Sequence, residues 1–335
     1  MVLVIGATGF IGMYTVDYLL RQGEPVIATG RNTVIGEKLE NMGAEFVSLD
    51  ITRPDDFEKL PNEGVSGVIL LAGLLPANIH DETGDEHAAD YFLINVIGTI
   101  NVLEYCRKHG IRKVIGCSSY SDVAKSWKKG VALTEEEPRN FAYVGDHAVY
   151  VISKNAANDV MEHYNQQFGM QCAWFRFPPV YGVGPHGSIY VDGKLYKSAV
   201  QTFIEKAQDG QNIEIWGDPS IERDIVYVKD VARAFYMALN SEHTYGLYNM
   251  TSGMQLTLEE QAKVIIDVFG HDKGSKIVYR PEKANNTPSF LFSMQKAKED
   301  FWFEPEFTSY ETMMRDYKAE LDSDRWNVLI NRHEE

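Results

Sequence analysis

The chain has 335 residues, enough for one large core or two unequal lobes, and its 48 acidic and 32 basic residues give a formal charge of −16. With no long basic block, that balance excludes a protein that tracks a nucleic-acid backbone. The three cysteines, Cys106, Cys117 and Cys172, have no metal-ligand spacing and cannot all pair, as expected of reduced thiols. No apolar stretch is long enough to span a bilayer, and Met1 leads straight into a strand pattern that leaves no room for a signal peptide. These features lead us to expect a soluble cytoplasmic protein.

The first element is a buried-type strand, Val2–Ile5, which breaks into Gly6, Gly9 and Gly12 before a helical pattern at Tyr14–Arg21. Gly6 permits the tight turn, Gly9 lets a pyrophosphate approach the backbone, and Gly12 lets the helix pack on its strand. A dinucleotide site is therefore expected here, with helix N-terminal amides facing the phosphate. The next strand ends at Gly30-Arg31, where an NAD site would place a carboxylate for the ribose hydroxyls. Without that carboxylate, and with a guanidinium able to grip a 2′-phosphate, NADP is favoured over NAD. Alternatively, Arg31 stacks on the adenine or lies in solvent.

Strand patterns at Ala44–Leu49, Gly67–Ala72, Lys113–Cys117 and Gln171–Phe175 alternate with helical ones at Asn95–His109 and His147–Phe168. That alternation predicts a doubly wound α/β fold with a parallel sheet covered on both faces. After Phe177 the chain loosens into Pro178, Pro179, Gly182, Gly184, Pro185 and Gly187, where a smaller, discontinuous lobe is expected to begin. Further strands at Ile213–Trp216 and Ile225–Val228 and a helix at Val231–Leu239 follow. The expected division is a dinucleotide-binding domain over 1–177, rejoined by about 222–250, and a substrate lobe from 178–221 and 251–335.

Tyr150 and Lys154 lie four residues apart, on one face of a helix. A phenol beside an ammonium and an oxidised nicotinamide ionises more easily, and can move a proton while the nicotinamide moves a hydride. The pair could equally be a half-buried tyrosine and a solvated lysine. What favours chemistry is the strand end Cys117-Ser118-Ser119, whose hydroxyls can hold a substrate oxygen.

With these residues in order, the chain resembles the extended short-chain dehydrogenases/reductases of the nucleotide-sugar epimerase/dehydratase group, almost end to end. The resemblance assigns the cofactor turn to Gly6, Thr8, Gly9, Phe10, Ile11 and Gly12, the adenine contact to Asp50 and Ile51, and the loop after strand four to Leu71, Ala72 and Gly73. It makes Asn95 a support for the active-site strand and Ser119 the active hydroxyl, with Ser118 and Tyr120 beside the substrate. Tyr150 and Lys154 become the proton-transfer pair, the lysine also lowering the tyrosine pKa and holding the nicotinamide ribose. Arg176 to Gly182 and Gly217 to Asp230 correspond to substrate-lobe signatures, with Arg223 meeting a substrate phosphate; otherwise Arg223 pairs on the surface with Asp224 or Glu222. The resemblance also implies a homodimer through the helices near 95–109 and 147–168.

Three departures bear on the reaction. Tyr120-Ser121 follows Ser119 where 4,6-dehydratases of this group carry Asp-Glu, so elimination lacks its acid and base. Pro179 stands where an asparagine usually contacts the substrate, and Gly30-Arg31 departs from most NAD-dependent 4-epimerases. The expected activity is epimerisation of a nucleotide-linked sugar, most plausibly at C4 of a UDP-hexose. The alternative is NADPH-dependent reduction of an aldehyde, ketone or keto-sugar; a dehydratase or a non-catalytic NADP-binding protein ranks lower. Lys194 and Lys197 are candidates for gripping a diphosphate, and His186 for a substrate contact. The segment His80–His87 has carboxylates and histidines but no rigid spacing, so it reads as a solvated loop and no metal site is expected.

Overall fold

In a computed structural model of the chain, residues 1–76, 87–145, 147–184, 188–191, 194–285 and 288–330 are described. His186 and all of the 80–87 segment except His87 lie outside them.

The centre is a seven-stranded sheet. Its strands are β1 (Val2–Ile5), β2 (Val26–Gly30), β3 (Glu45–Ser48), β4 (Gly67–Leu70), β5 (Lys113–Cys117), β6 (Gln171–Arg176) and β7 (Gly246–Asn249). They pair in parallel in the order β7-β6-β5-β4-β1-β2-β3. The chain winds outward from β1 through β2 to β3, then crosses back to β4 and continues the other way. That reversal between β1 and β4 opens a crevice at the carboxyl ends of the strands, where ligands of such sheets bind.

Alternation along the strands divides the core between the two faces. Val2, Val4, Ile69, Ile115, Ala173 and Phe175 point to one side, packing with helices α1 (Phe10–Arg21) and α5 (Val228–Asn240). Leu3, Ile5, Val68, Leu70, Val114 and Trp174 point to the other, meeting helices α3 (88–108) and α4 (Ala148–Phe168). The first cluster also takes in α2 (Thr33–Asn41), α6 (Leu258–Phe269) and α7 (Tyr310–Asp322). Short strand pairs lie outside the sheet: 213–216 with 277–280, 222–223 with 256–257, and 226–227 with 180–181.

Three helices start earlier than the sequence reading places them. The first helix starts at Phe10, because Gly9 is its N-cap and the first turn is already buried. The third starts at residue 88, before the expected Asn95; exposed Phe92 and Leu93 interrupt the apolar period there. The helix expected from Val231 starts at Val228, so the strand before it shortens to Val226–Tyr227. Its N-cap is Tyr227, which gives no capping signal to read. No helix among the described residues is long and apolar enough to cross a membrane.

Candidate active site

The turn between β1 and α1 is shaped by what its glycines leave out. Gly6 has φ +90°, and a Cβ there would overlap the backbone of Leu71 and Ala72, which enter the next strand's loop. A Cβ on Gly12 would overlap the Gly6 carbonyl. Gly9 caps α1 without a side-chain hydrogen bond, and no acidic residue occupies the first turn. The positive end of α1 is thus left to an external anion, as a dinucleotide phosphate requires. The cofactor-side positions Leu71, Ala72 and Gly73 lie alongside, with Leu71 and Ala72 both donating to the Ile5 carbonyl at 2.7 and 3.0 Å.

Other expected cofactor contacts divide. Thr8 is buried, and its side chain fills the space a Cβ on Gly30 would need. That packing keeps a carboxylate away from position 30. Arg31 is exposed at the end of β2. Asp50 accepts from the Thr52 amide (3.0 Å) and hydroxyl (2.8 Å), and so shapes its own turn. Ile51 is buried against Gly98 of α3, and the Phe10 ring lies under Gly182 and Gly184. For Ile11, Ile51 and Phe10, side-chain packing makes the backbone the available contact.

The second half of the site stands across the crevice. The β5 strand end places Ser118 and Ser119, both buried, against α4. Asn158 of α4 donates to the Ser118 hydroxyl at 2.7 Å. Ser119 caps the following turn, accepting from the Ser121 amide at 3.3 Å, and its hydroxyl faces the Tyr150 phenol closely enough to favour the phenolate. Burial raises the Tyr150 pKa, as does the Cys117 thiol, while the Ser119 hydroxyl opposes the rise. Burial lowers the Lys154 pKa and pushes Cys117 up to about 11; the ammonium and thiol favour each other's charge. Ser119 and Tyr150 are therefore buried neighbours. Lys154 lies near Cys117, the thiol that also faces Tyr150.

Asn95 departs from its expected role. Its amide oxygen accepts from the Leu74 amide at 2.7 Å, and its nitrogen donates to the Leu74 carbonyl (3.2 Å) and the Ser153 hydroxyl (3.0 Å). Ser153 donates in turn to the Tyr150 carbonyl at 2.8 Å. Asn95 thus ties the loop after β4 to the tyrosine helix and does not support β5. It sits in a π-helical turn, Leu93–Ile97, whose extra residue re-aims the helix face. Ser153, Asn158 and Tyr91, whose ring centroid lies 6.0 Å from that of Tyr150, went unnoticed in the sequence. A polar residue in a helix ordinarily reads as solvated.

The substrate-side residues are also split. Arg223 pairs with neither Asp224 nor Glu222. Its guanidinium donates to Asn285 at 3.2 Å and lies near the phenols of Tyr120 and Tyr181, and burial lowers its pKa. Asp224 is itself buried, accepting from Thr251 and from the Phe292 amide at 2.9 Å, and burial raises its carboxyl to about 7. Arg176 is buried in an ion pair with Asp122 at 2.9 Å and holds the chain after Ser119, a structural role. Tyr120 stacks on Trp127 with centroids 5.3 Å apart and packs beside Phe290. The Pro179 carbonyl accepts from the Val226 amide at 3.1 Å. Lys197 pairs with Glu205 at 2.5 Å, while Lys194 lies in a strand, Lys194–Lys197. His87 pairs with Asp90 at 3.0 Å, and among the described residues no metal-ligating cluster forms.

A parallel sheet with a glycine turn at its switch point, facing a serine–tyrosine pair, defines a nicotinamide-dependent short-chain enzyme. Residues 2–250 match the NAD dependent epimerase/dehydratase family, and the chain belongs to it. It is 31% identical to a Methanocaldococcus jannaschii protein provisionally named a UDP-glucose 4-epimerase, covering 94% of this chain and 96% of that one. It is 28% identical to a Streptomyces dTDP-4-dehydro-6-deoxy-D-allose reductase, covering 91% of each. Among solved structures, the UDP-glucose 4-epimerase of Thermotoga maritima, crystallised with UDP-glucose, superposes with a TM-score of 0.76 at 25% identity. That match covers 96% of this chain and 99% of the other.

Proposed function

We propose that this chain epimerises a nucleotide-linked sugar, a UDP-hexose at C4, by transient oxidation and return of hydride. The observation that carries the reading is the buried Ser119–Tyr150 pair, whose serine hydroxyl favours the phenolate, across the crevice from the open end of α1. Bound nicotinamide dinucleotide supplies a reversible hydride acceptor. Ser119 orients the reacting hydroxyl, and Tyr150 takes its proton and gives it back. Burial keeps the phenol protonated until it is called on, and Lys154, itself partly desolvated, brings positive charge to that end of α4. Asn95 and Ser153 hold the cofactor loop and the tyrosine helix in one frame. Arg223, with no carboxylate partner among the described residues, is the cation for a substrate phosphate. The substrate would lie between the sheet and the lobe of 178–221 and 251–335.

Exposed Arg31 and the missing carboxylate at Gly30 support NADP as the cofactor. Together with Pro179 they favour one second reading, an NADPH-dependent reductase of a carbonyl or keto-sugar. Denaturing the purified protein and weighing the released nucleotide separates the two. Near-stoichiometric NADP+ or NAD+, followed by interconversion of UDP-sugars, supports epimerisation. An empty site with consumption of added NADPH by carbonyl substrates replaces it with the reductase. In either enzyme Tyr150→Phe should cut kcat by about 1,000-fold while cofactor titration stays unchanged; full activity in that variant removes both mechanisms. Exposed Phe92, Leu93 and Ile97 on α3 support a homodimer through that helix. A monomer mass in light scattering would end that assignment. The three cysteines are free, which suits a cytoplasmic setting; oxidised cysteines in protein from the native cell would contradict it.

A further inference from the structure

Arg325 and Trp326 are bound to the helix that leaves the glycine turn. Trp326 is buried and stacks on Tyr14 of α1, with ring centroids 4.1 Å apart and planes within 25°. Tyr14 meets Phe10 edge-on at 5.7 Å, and its hydroxyl donates to the Val183 carbonyl at 3.3 Å. Phe10, the first residue of α1, packs under Gly182 and Gly184. One aromatic row, Trp326–Tyr14–Phe10, therefore runs from the C-terminal segment to both the cofactor turn and the 182–184 segment. Charges fasten it. The indole N–H donates to Glu320, Lys229 bridges Glu320 (2.9 Å) and Asp316 (2.7 Å), and Arg325 pairs with Asp17 of α1. Tyr227, in the strand paired with 180–181, also donates to Asp316 at 2.7 Å.

We propose that Trp326 is a positioning residue that, through Tyr14 and Phe10, fixes the N-terminus of α1 for the cofactor and the 182–184 segment beside it. The inference rests on the dinucleotide assignment of the glycine turn. A stacked ring resists tilt of α1, whereas an empty site lets the helix start shift, and small misplacements are costly where backbone amides must meet a phosphate. Trp326→Ala should weaken NADPH binding by about tenfold in a nicotinamide fluorescence titration without substrate. Trp326→Phe keeps a ring on Tyr14 and should restore binding. Tyr14→Phe, which removes only the bond to Val183, should weaken it by about threefold in a protein that still folds. If Trp326→Ala and Tyr14→Phe melt at lower temperature yet bind NADPH and NADP+ like wild type, the residue is structural only and the proposal is wrong. If Trp326→Ala does not fold, the Tyr14→Phe titration decides alone. If wild-type protein binds neither NADP(H) nor NAD(H), the dinucleotide assignment falls and this inference falls with it.

Discussion

Two helix starts in this molecule solve the same problem in opposite ways. At the start of α6, Thr257 accepts from the Glu260 amide at 3.1 Å, while the Glu260 carboxylate accepts from the Thr257 amide at 2.8 Å. Glu259 and Glu260 set negative charge on the positive end of the helix. At the start of α1 there is neither a side-chain cap nor an acid, only Gly9. One helix satisfies itself and gains stability; the other leaves its start open to an external anion. Local stability and function compete for the same amides.

The largest expected effect comes from closing the open start. Gly9 has φ −85°, and a Cβ there would lie 3.3 Å from the Gly6 carbonyl, so a side chain is tolerated with slight adjustment. Gly9→Asp should cap α1 and place a charge against the incoming phosphate. Nicotinamide dinucleotide binding should fall by about 100-fold or more, while the melting temperature holds or rises. Titration calorimetry and a thermal melt read the two arms.

The closed side carries a pH dependence of its own. Asp224 follows the strand paired with Leu256–Thr257, and burial raises its folded pKa to about 7. The unfolded carboxyl ionises near pH 4, so between about pH 4 and 7 the folded state holds the extra proton and stability falls as pH rises. The limiting slope is about 1.4 kcal/mol per pH unit, and Asp224→Asn should flatten it in denaturant melts from pH 5 to 7. The smallest effect is opening the closed start. Thr257→Ala should cost about 1 kcal/mol in urea unfolding and leave cofactor affinity untouched.

Six of the seven sheet strands and the glycine turn were legible because their signals are local: an apolar run, a glycine where φ is positive, and a helix beginning at once; the short edge strand Gly246–Asn249 was not. Tyr150 and Lys154 were legible for the same reason, four residues apart on one helix. What joins them to the rest was not. Asn95 meets Ser153 across 58 residues, and Asn158 meets Ser118 across 40. Nothing in either neighbourhood distinguishes such an amide from a solvated one. Gly30 was read as a missing carboxylate, yet the Thr8 side chain occupies its space, a reason visible only when β1 and β2 lie side by side. Arg223 divided two readings that sequence alone could not separate, because its neighbours Glu222 and Asp224 are acidic. Asp224 turns inward to Thr251, and Glu222 reaches Lys129 at 4.0 Å.

The π turn at Leu93–Ile97 gives the chain an unusual tolerance to length. A residue deleted from an ordinary helix turns everything beyond it by about 100°. Here a deletion within the turn would relax it into regular helix, leaving Val102, Leu103 and Cys106 on the core side. Only Asn95 and its neighbours would rotate away, and the cofactor loop would lose its tether to Tyr150. The molecule can therefore lose a residue at this place and keep its architecture while losing its chemistry, which is how an inactive paralogue of the same shape would arise.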